Sequence, residues 1–290
     1  MKPRIFARSF SLVPLLVLIA CGGGKTTTTA AMPAGNPQMV FEGPGVPGST
    51  SIQEISTGNL DGSNIVQITH DGVNEFLAHF SPDGTRLVYT KFLTGEYGDA
   101  APETDIFIYT FATAAETRLT TVGDAFQAVW SPDGQQIAFG TYNGTGLYLM
   151  NPDGTSRTQV TDGGPSCTPP GMEQYGDSDP GFSADSQTVY SSRGLSPLPA
   201  DPTQTLRHLY AFSSDAYTPG KVETDLSLAS QPNCKVGVPK GSPDGTQILV
   251  FLFCPSNPQQ VGVTLTNTTG TTWTFVTPGF GADWNPTTQP

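Results

Sequence analysis

The chain has 290 residues with 33 Gly, 26 Pro, 38 Thr, a 13% share of charged residues and a formal net charge of -12. A charged fraction so far below the usual ~25%, together with frequent Gly and Pro, excludes helical bundles and coiled coils. The excess of Thr, aromatic and turn-forming residues predicts an all-β chain of many short strands joined by tight turns.

At the N-terminus, Lys2, Arg4 and Arg8 surround the start of an apolar run from Leu12 to Ala20. This predicts an export signal over residues 1–20, too short to span a bilayer. The run ends in Leu18-Ile19-Ala20-Cys21 followed by three glycines, which resembles the lipobox of bacterial lipoproteins. The resemblance implies that Cys21 becomes the first residue of the mature chain and carries diacylglycerol plus an amide-linked chain such as palmitate. An ordinary secretory signal with a coincidental cysteine is the alternative. Three acyl chains exceed the two needed for stable anchoring. In a Gram-negative cell, Gly22 in place of Asp after the cysteine implies sorting to the outer membrane. Residues 21–37 are expected to form a flexible tether with a reach of about 20 Å, and residues 38–290 the folded domain.

Without the signal, 10 Lys and Arg stand against 25 Asp and Glu, a net charge of -15. Such a chain gains nothing from phosphate backbones, so nucleic acid is not expected as a partner. It gains nothing from anionic headgroups either, which leaves membrane residence to the lipid anchor alone.

One phrase then recurs along the domain. It reads Phe80-Ser-Pro-Asp-Gly-Thr-Arg-Leu-Val-Tyr89, Trp130-Ser-Pro-Asp-Gly-Gln-Gln-Ile-Ala-Phe139, Phe182-Ser-Ala-Asp-Ser-Gln-Thr-Val-Tyr190 and Gly241-Ser-Pro-Asp-Gly-Thr-Gln-Ile-Leu-Val250, with a truncated copy at Trp284-Asn-Pro286. Pro presets φ, Asp bonds nearby amides and Gly accepts positive φ, so each copy predicts a hairpin between two apolar strands. The hairpin acids Asp83, Asp133, Asp185 and Asp244 are read as turn formers. Aromatic residues at the head of the phrase are read as packing between units, and Gly241 as a departure that loosens its unit. A second phrase, Asp61 to Gly72 and again Asp153 to Gly164, marks the end of a unit. Equivalent positions 82, 132, 184, 243 and 286 are separated by 50, 52, 59 and 43 residues, room for four strands each.

These phrases resemble the WD40-like repeats of TolB-type β-propellers from about Gln38 to Gln289. The family usually has six blades and TolB a preceding α/β domain; the repeat count here gives five blades, with six as the alternative, and the resemblance implies the propeller alone. Gln38 to Thr69 matches the last three strands of a blade and Gly281 to Gln289 only its first. The expectation is a ring of four-stranded antiparallel blades closed by joining both termini in one blade, which leaves no sheet edge exposed.

Insertions fall in the connections of one face of such a ring: Gly95 to Thr104, Gly163 to Asp179, Gly194 to Thr205 and Cys254 to Gln260. Long loops on a rigid scaffold are where binding is usually built; drift in unconstrained loops is the competing explanation. Cys234 and Cys254 each lie ten residues from Asp244, opposite one another across a hairpin, and in an exported chain this points to a disulfide. Cys167 competes for either partner. No Cys/His spacing for a transition metal occurs among these cysteines and His70, His79 and His208.

Glu75, Asp124, Asp177, Asp179 and Asp283 fall near the starts of the expected inner strands, where they would bring carboxylates toward a central channel. Carboxylate pairs cleave glycosides, and clustered oxygens hold Ca²⁺; the same residues also cap turn amides. No G-x-S-x-G elbow is present for a serine hydrolase. The leading expectation is a lipid-anchored, monomeric envelope protein, without a catalytic cofactor, that binds another envelope protein or a cell-wall component. A carbohydrate-active enzyme or calcium-dependent sugar binder is the alternative, and a structural adaptor that only spaces its neighbours is a third.

Overall fold

The computed structural model describes residues 37–44, 52–59, 61–96, 99, 102–142, 146–163, 176–198, 201–227, 229–255 and 261–278. Outside them lie residues 1–36, with Cys21 and nearly all of the expected signal and tether, as well as Cys167, Asp283 and the stretch 281–289.

All regular structure in the described residues is β. Strands β1 (Met39–Pro44), β2 (Gln53–Gly58) and β3 (Val66–Gln67) form a first, three-stranded antiparallel set. A second set of four follows in chain order: β4 (Glu75–Phe80), β5 (Arg86–Thr94), β6 (Glu103–Thr110) and β7 (Ala115–Arg118). The third is β8 (Ala125–Trp130), β9 (Ile137–Thr141), β10 (Tyr148–Met150) and β11 (Thr158–Gln159). The fourth is β12 (Asp177–Phe182), β13 (Thr188–Leu198), β14 (Asp201–Ser213) and β15 (Glu223–Asp225). The fifth is β16 (Lys235–Gly241), β17 (Gln247–Phe253), β18 (Val261–Asn267) and β19 (Trp273–Thr277). One parallel pairing, Arg207 with Lys235, joins the last two sets into an eight-stranded sheet. Among the described residues no sheet closes on itself.

The sets stack face to face, which explains the continuous apolar runs in their strands. Leu87, Tyr89 and Phe107 pack on Ile55 and Ile68 of the first set, while their neighbours Val88, Ile106 and Ile108 face Trp130, Ile137 and Phe139 of the third. Leu147, Leu149 and Val160 meet Phe182 and Val189, and Tyr190 and Leu209 meet Val236, Ile248 and Val250. With apolar packing on both faces, strand alternation no longer separates core from solvent. The first strands of four sets, β4, β8, β12 and β16, lie beside one another in chain order.

The repeated hairpins owe their shape to one carboxylate each. Asp83, Asp133, Asp185 and Asp244 accept from the hydroxyl two residues earlier, Ser81, Ser131, Ser183 and Ser242, each at 2.6 Å. They also accept the amide two residues later, from Thr85, Gln135, Gln187 and Thr246, at 3.0–3.1 Å. The Ser81 hydroxyl holds the Asp83 carboxyl down to about 2.

Gly241 does not loosen the fifth set. A Cβ there would come within 2.4 Å of the Phe182 carbonyl oxygen, and one on Gly181 within 2.0 Å of that of Pro239. Two glycines thus let β12 and β16 approach backbone to backbone. The stretch Gly194 to Thr205, expected as a loop, is mostly paired strand: β13 and β14 continue to the Leu198–Asp201 pair.

The second phrase, and the matching positions Thr120 and Ser227 that close the second and fourth sets, have a function their composition does not reveal. The hydroxyls of Thr69, Thr120, Thr161 and Ser227 accept the amides of Ile55, Ile106, Leu147 and Leu209 at 2.8–2.9 Å. Each bond ties the segment after a set's last strand to its next-to-last strand, on it at Ile55, Ile106 and Leu209 and just before it at Leu147. Replacing the Thr120 hydroxyl by a methyl, Thr120→Val, leaves the Ile106 amide buried without a partner. A loss of about 1–3 kcal/mol is expected, read as a lower denaturant midpoint at unchanged m-value.

Candidate functional site

The first strands of the second to fifth sets carry the same irregularity. Register shifts bracket Leu77 and Ala78 in β4, Gln127 and Ala128 in β8, Asp179 and Pro180 in β12, and Val238 and Pro239 in β16, so that two residues oppose one. These are β-bulges, which re-aim side chains where strands converge. Their first residues have positive φ without being glycine: Leu77 58°, Gln127 57°, Asp179 49° and Val238 51°. Such a conformation costs roughly 1–2 kcal/mol per residue, and contacts between sets support it. Glu42 accepts the Leu77 amide at 2.6 Å, Thr90 Oγ1 the Gln127 amide at 3.0 Å, and Gln127 Oε1 the Asp179 amide at 2.9 Å. Gln127 Nε2 in turn donates to Asp179 Oδ1 at 2.5 Å.

Buried cations occupy equivalent positions in the second and fourth sets. Lys91 on β5 stands opposite Glu75 on β4, and Arg193 on β13 opposite Asp177 on β12. Arg193 donates from Nε to Asp177 Oδ1 and from Nη2 to Oδ2, both at 2.8 Å, and from Nη1 to Glu223 at 2.5 Å. Its guanidinium lies 4.6 Å from the Tyr210 ring centroid and 5.0 Å from that of Phe212. Lys91 Nζ is 2.5 Å from Asp71, 2.8 Å from Glu116, 3.3 Å from Glu75 and 4.9 Å from the Phe107 centroid. Burial disfavours both cations, yet their carboxylate partners outweigh it and raise both above the ordinary range. Within the second set, Arg118 on β7 bonds Asp105 on β6, which also accepts from Thr120 Oγ1 at 2.5 Å. In the fourth set, toward the fifth, His208 Nδ1 lies 2.6 Å from Asp225 Oδ2.

The five expected channel acids therefore have different surroundings. Glu75 and Asp177 are fully buried and face Lys91 and Arg193; burial pushes the Glu75 carboxyl up to about 8 against the opposing Thr69 hydroxyl and Lys91 charge. Asp124 is half-buried and gives its carbonyl to the Tyr142 amide at 2.6 Å. Asp179 sits in the β12 bulge beside Gln127 and within 3.6 Å of where a Cβ on Gly237 would be. Asp283 is outside the described residues. Cys234 is bonded to Cys254 across β16 and β17, a separation of 20 residues.

Lys91 and Arg193 were not singled out in the sequence, although a signal was present. Glu75 and Asp177 stand seven residues before positions 82 and 184, and Lys91 and Arg193 nine residues after them. The third set has Ala125 and Thr141 at these offsets and the fifth Val236 and Leu252, so acid and base occur together or not at all.

No protein-family model matches the chain. Over 117 residues it is 29% identical to the TolB homolog of Chlorobaculum tepidum, covering 40% of this chain and 25% of that protein. It is 30% identical over 110 residues to the Tol-Pal system protein TolB of Anaeromyxobacter dehalogenans, covering 37% and 24%. The chain thus spans about a quarter of the length of the curated relatives it matches. In structure it is similar to TolB from Acinetobacter baumannii, with a TM-score of 0.58 at 13% identity over 82% of this chain and 52% of that one. Kuenenia stuttgartiensis hydrazine synthase aligns with a TM-score of 0.54 at 14% identity over 79% and 35%. The described strands have a TolB-type β-propeller fold.

Proposed function

We propose that this TolB-type β-propeller is an exported, lipid-anchored module of the cell envelope that binds another envelope protein through its loop-bearing face. The observation that carries the reading is the double likeness to TolB: in sequence to relatives named for the Tol-Pal system, and in fold to a solved TolB. A mature net charge of -15 agrees with a protein partner, and Cys21 supplies the anchor.

The ring has five blades, and residues 281–289 add the inner strand to the first, three-stranded set. Support comes from the bulge spacing. Leu77, Gln127, Asp179 and Val238 each stand five residues before positions 82, 132, 184 and 243, and Gly281 stands five before Pro286. Gly is the residue that adopts positive φ at least cost. In a closed ring the connections that start at 95, 119, 163 and 254 share one face, and the Ser-Pro-Asp-Gly turns share the other. Glycoside cleavage needs a carboxyl the sugar can reach, and burial of Glu75 and Asp177 does not favour it.

Photo-crosslinking residues placed in intact cells test the binding face. Positions Glu96 and Val122 belong to the loop-bearing connections, and Gln135 and Thr269 to the opposite turns; all four are exposed. Adducts to one envelope protein are expected from the first two positions and none from the others. Equal adducts from both faces, or none from either, would contradict the assignment.

A further inference from the structure

The contact between the first and second sets holds one buried carboxylate, Glu54, that has no cation paired to it, unlike its counterpart in the second set. Glu54 on β2 directly precedes Ile55, whose amide bonds Thr69. Asp105, Gly146 and His208 hold the matching place before Ile106, Leu147 and Leu209. Asp105 is met by Arg118, His208 by Asp225, and Gly146 has no side chain to satisfy. Glu54 is 2% exposed. Its Oε1 accepts the Gly72 amide at 2.8 Å, whereas its Oε2 accepts no hydrogen bond.

Glu75 adds a second oxygen of this kind. It is fully buried; Oε2 accepts from Thr69 at 2.6 Å, and Oε1 accepts no hydrogen bond, with Lys91 Nζ 3.3 Å away. Asp71, whose side chain is 46% exposed, opens the group to solvent. One carboxylate oxygen from each of Glu54, Asp71 and Glu75 lies within 4.8 Å of the other two. Oxygens on opposite sides of Ca²⁺ are separated by about twice 2.4 Å, so one ion reaches all three. Glu54, Asp71, Glu75 and Glu116 together outnumber the single Lys91 ammonium, and a buried carboxylate without a counter-charge is expensive.

We propose that Glu54, Asp71 and Glu75 form a site for a divalent cation between the first two sets. The donors are all carboxylate oxygens with neither imidazole nor thiolate, which selects a hard ion such as Ca²⁺, and water at the exposed side of Asp71 would supply the remaining oxygens that Ca²⁺ takes. The ion neutralises the orphaned Glu54 oxygen and fastens β2 to the entry of β4.

The test titrates CaCl₂ into chelator-treated full-length protein and follows both binding heat and melting temperature. Wild type is expected to bind one Ca²⁺ and to melt several degrees higher with saturating ion. Glu54→Gln keeps the shape, removes the uncompensated charge, and is expected to fold, to melt no lower than ion-free wild type, and to lose the Ca²⁺-dependent shift. Asp71→Asn, at an exposed position, is expected to weaken binding at least tenfold, while Asp179→Asn leaves it unchanged. Absence of heat and shift in wild type, or an undiminished shift in Glu54→Gln, would overturn the site. So would loss of the shift in Asp179→Asn with its retention in Asp71→Asn, which would place the ion at the β12 bulge instead.

Discussion

Arg193→Met is expected to lower stability by about 3–5 kcal/mol. The guanidinium is buried and satisfies both oxygens of Asp177 at 2.8 Å, with Glu223 on its other edge. Methionine fills much of the volume between Tyr210 and Phe212 but leaves the fully buried Asp177 without a cation. The cost comes mainly from that uncompensated carboxylate, not from the attraction lost. The double variant Arg193→Met/Asp177→Leu should therefore recover most of the loss, since replacing a whole buried pair by apolar groups is often neutral. Glu223 remains partly exposed and tolerates the change. Chemical denaturation of the three proteins gives the answer. A single-variant loss below about 1 kcal/mol, in the range of exposed ion pairs, would show that the cluster does not hold the strands of the fourth set together.

Removing the Cys234–Cys254 bridge by a double serine substitution is expected to cost about 3 kcal/mol. The bridge closes a loop of 20 residues, and chain-entropy arguments give about 3 kcal/mol for a loop of this size. The bridge ties β16 to β17 beside the connection that enters the fifth set, where Gln231 Oε1 lies 3.3 Å from Cys234 Sγ. Reduction of wild type should produce the same midpoint shift as the double variant, with no further effect of reductant on the variant. A shift below about 1 kcal/mol would mean that the hairpin contacts already restrain the unfolded ensemble.

The parts of this architecture readable from sequence are those fixed by near neighbours. Ser81, Asp83 and Thr85 form a turn through bonds spanning two residues, so their chemistry shows in any copy of the phrase. The Thr69 latch spans 14 residues, and its phrase was visible as a marker while its partner was not. The buried cations needed the register of β4 on β5 and of β12 on β13, because Glu75 with Lys91 and Asp177 with Arg193 are separated by 16 residues. A carboxylate near a strand start reads the same whether it faces a channel or an arginine, and burial alone distinguishes them. The bulges were hidden for a different reason: local preference argues against positive φ at Leu77 and Val238, and only contacts between strands hold it. Glu54 carried no sequence signal, since its singularity is the counter-ion that its counterpart Asp105 has and it lacks.

Closure of the ring decides whether the proposed binding face exists, because open sheets would splay the connections that a closed ring gathers. Amide hydrogen exchange along β1 tests this most directly, comparing the full-length protein with one ending at residue 280. If residues 281–289 pair with β1, its amides on the side away from β2 are protected in the full chain and exchange at least a hundredfold faster in the truncated one. Equal, fast exchange of those amides in both proteins would contradict the closed propeller.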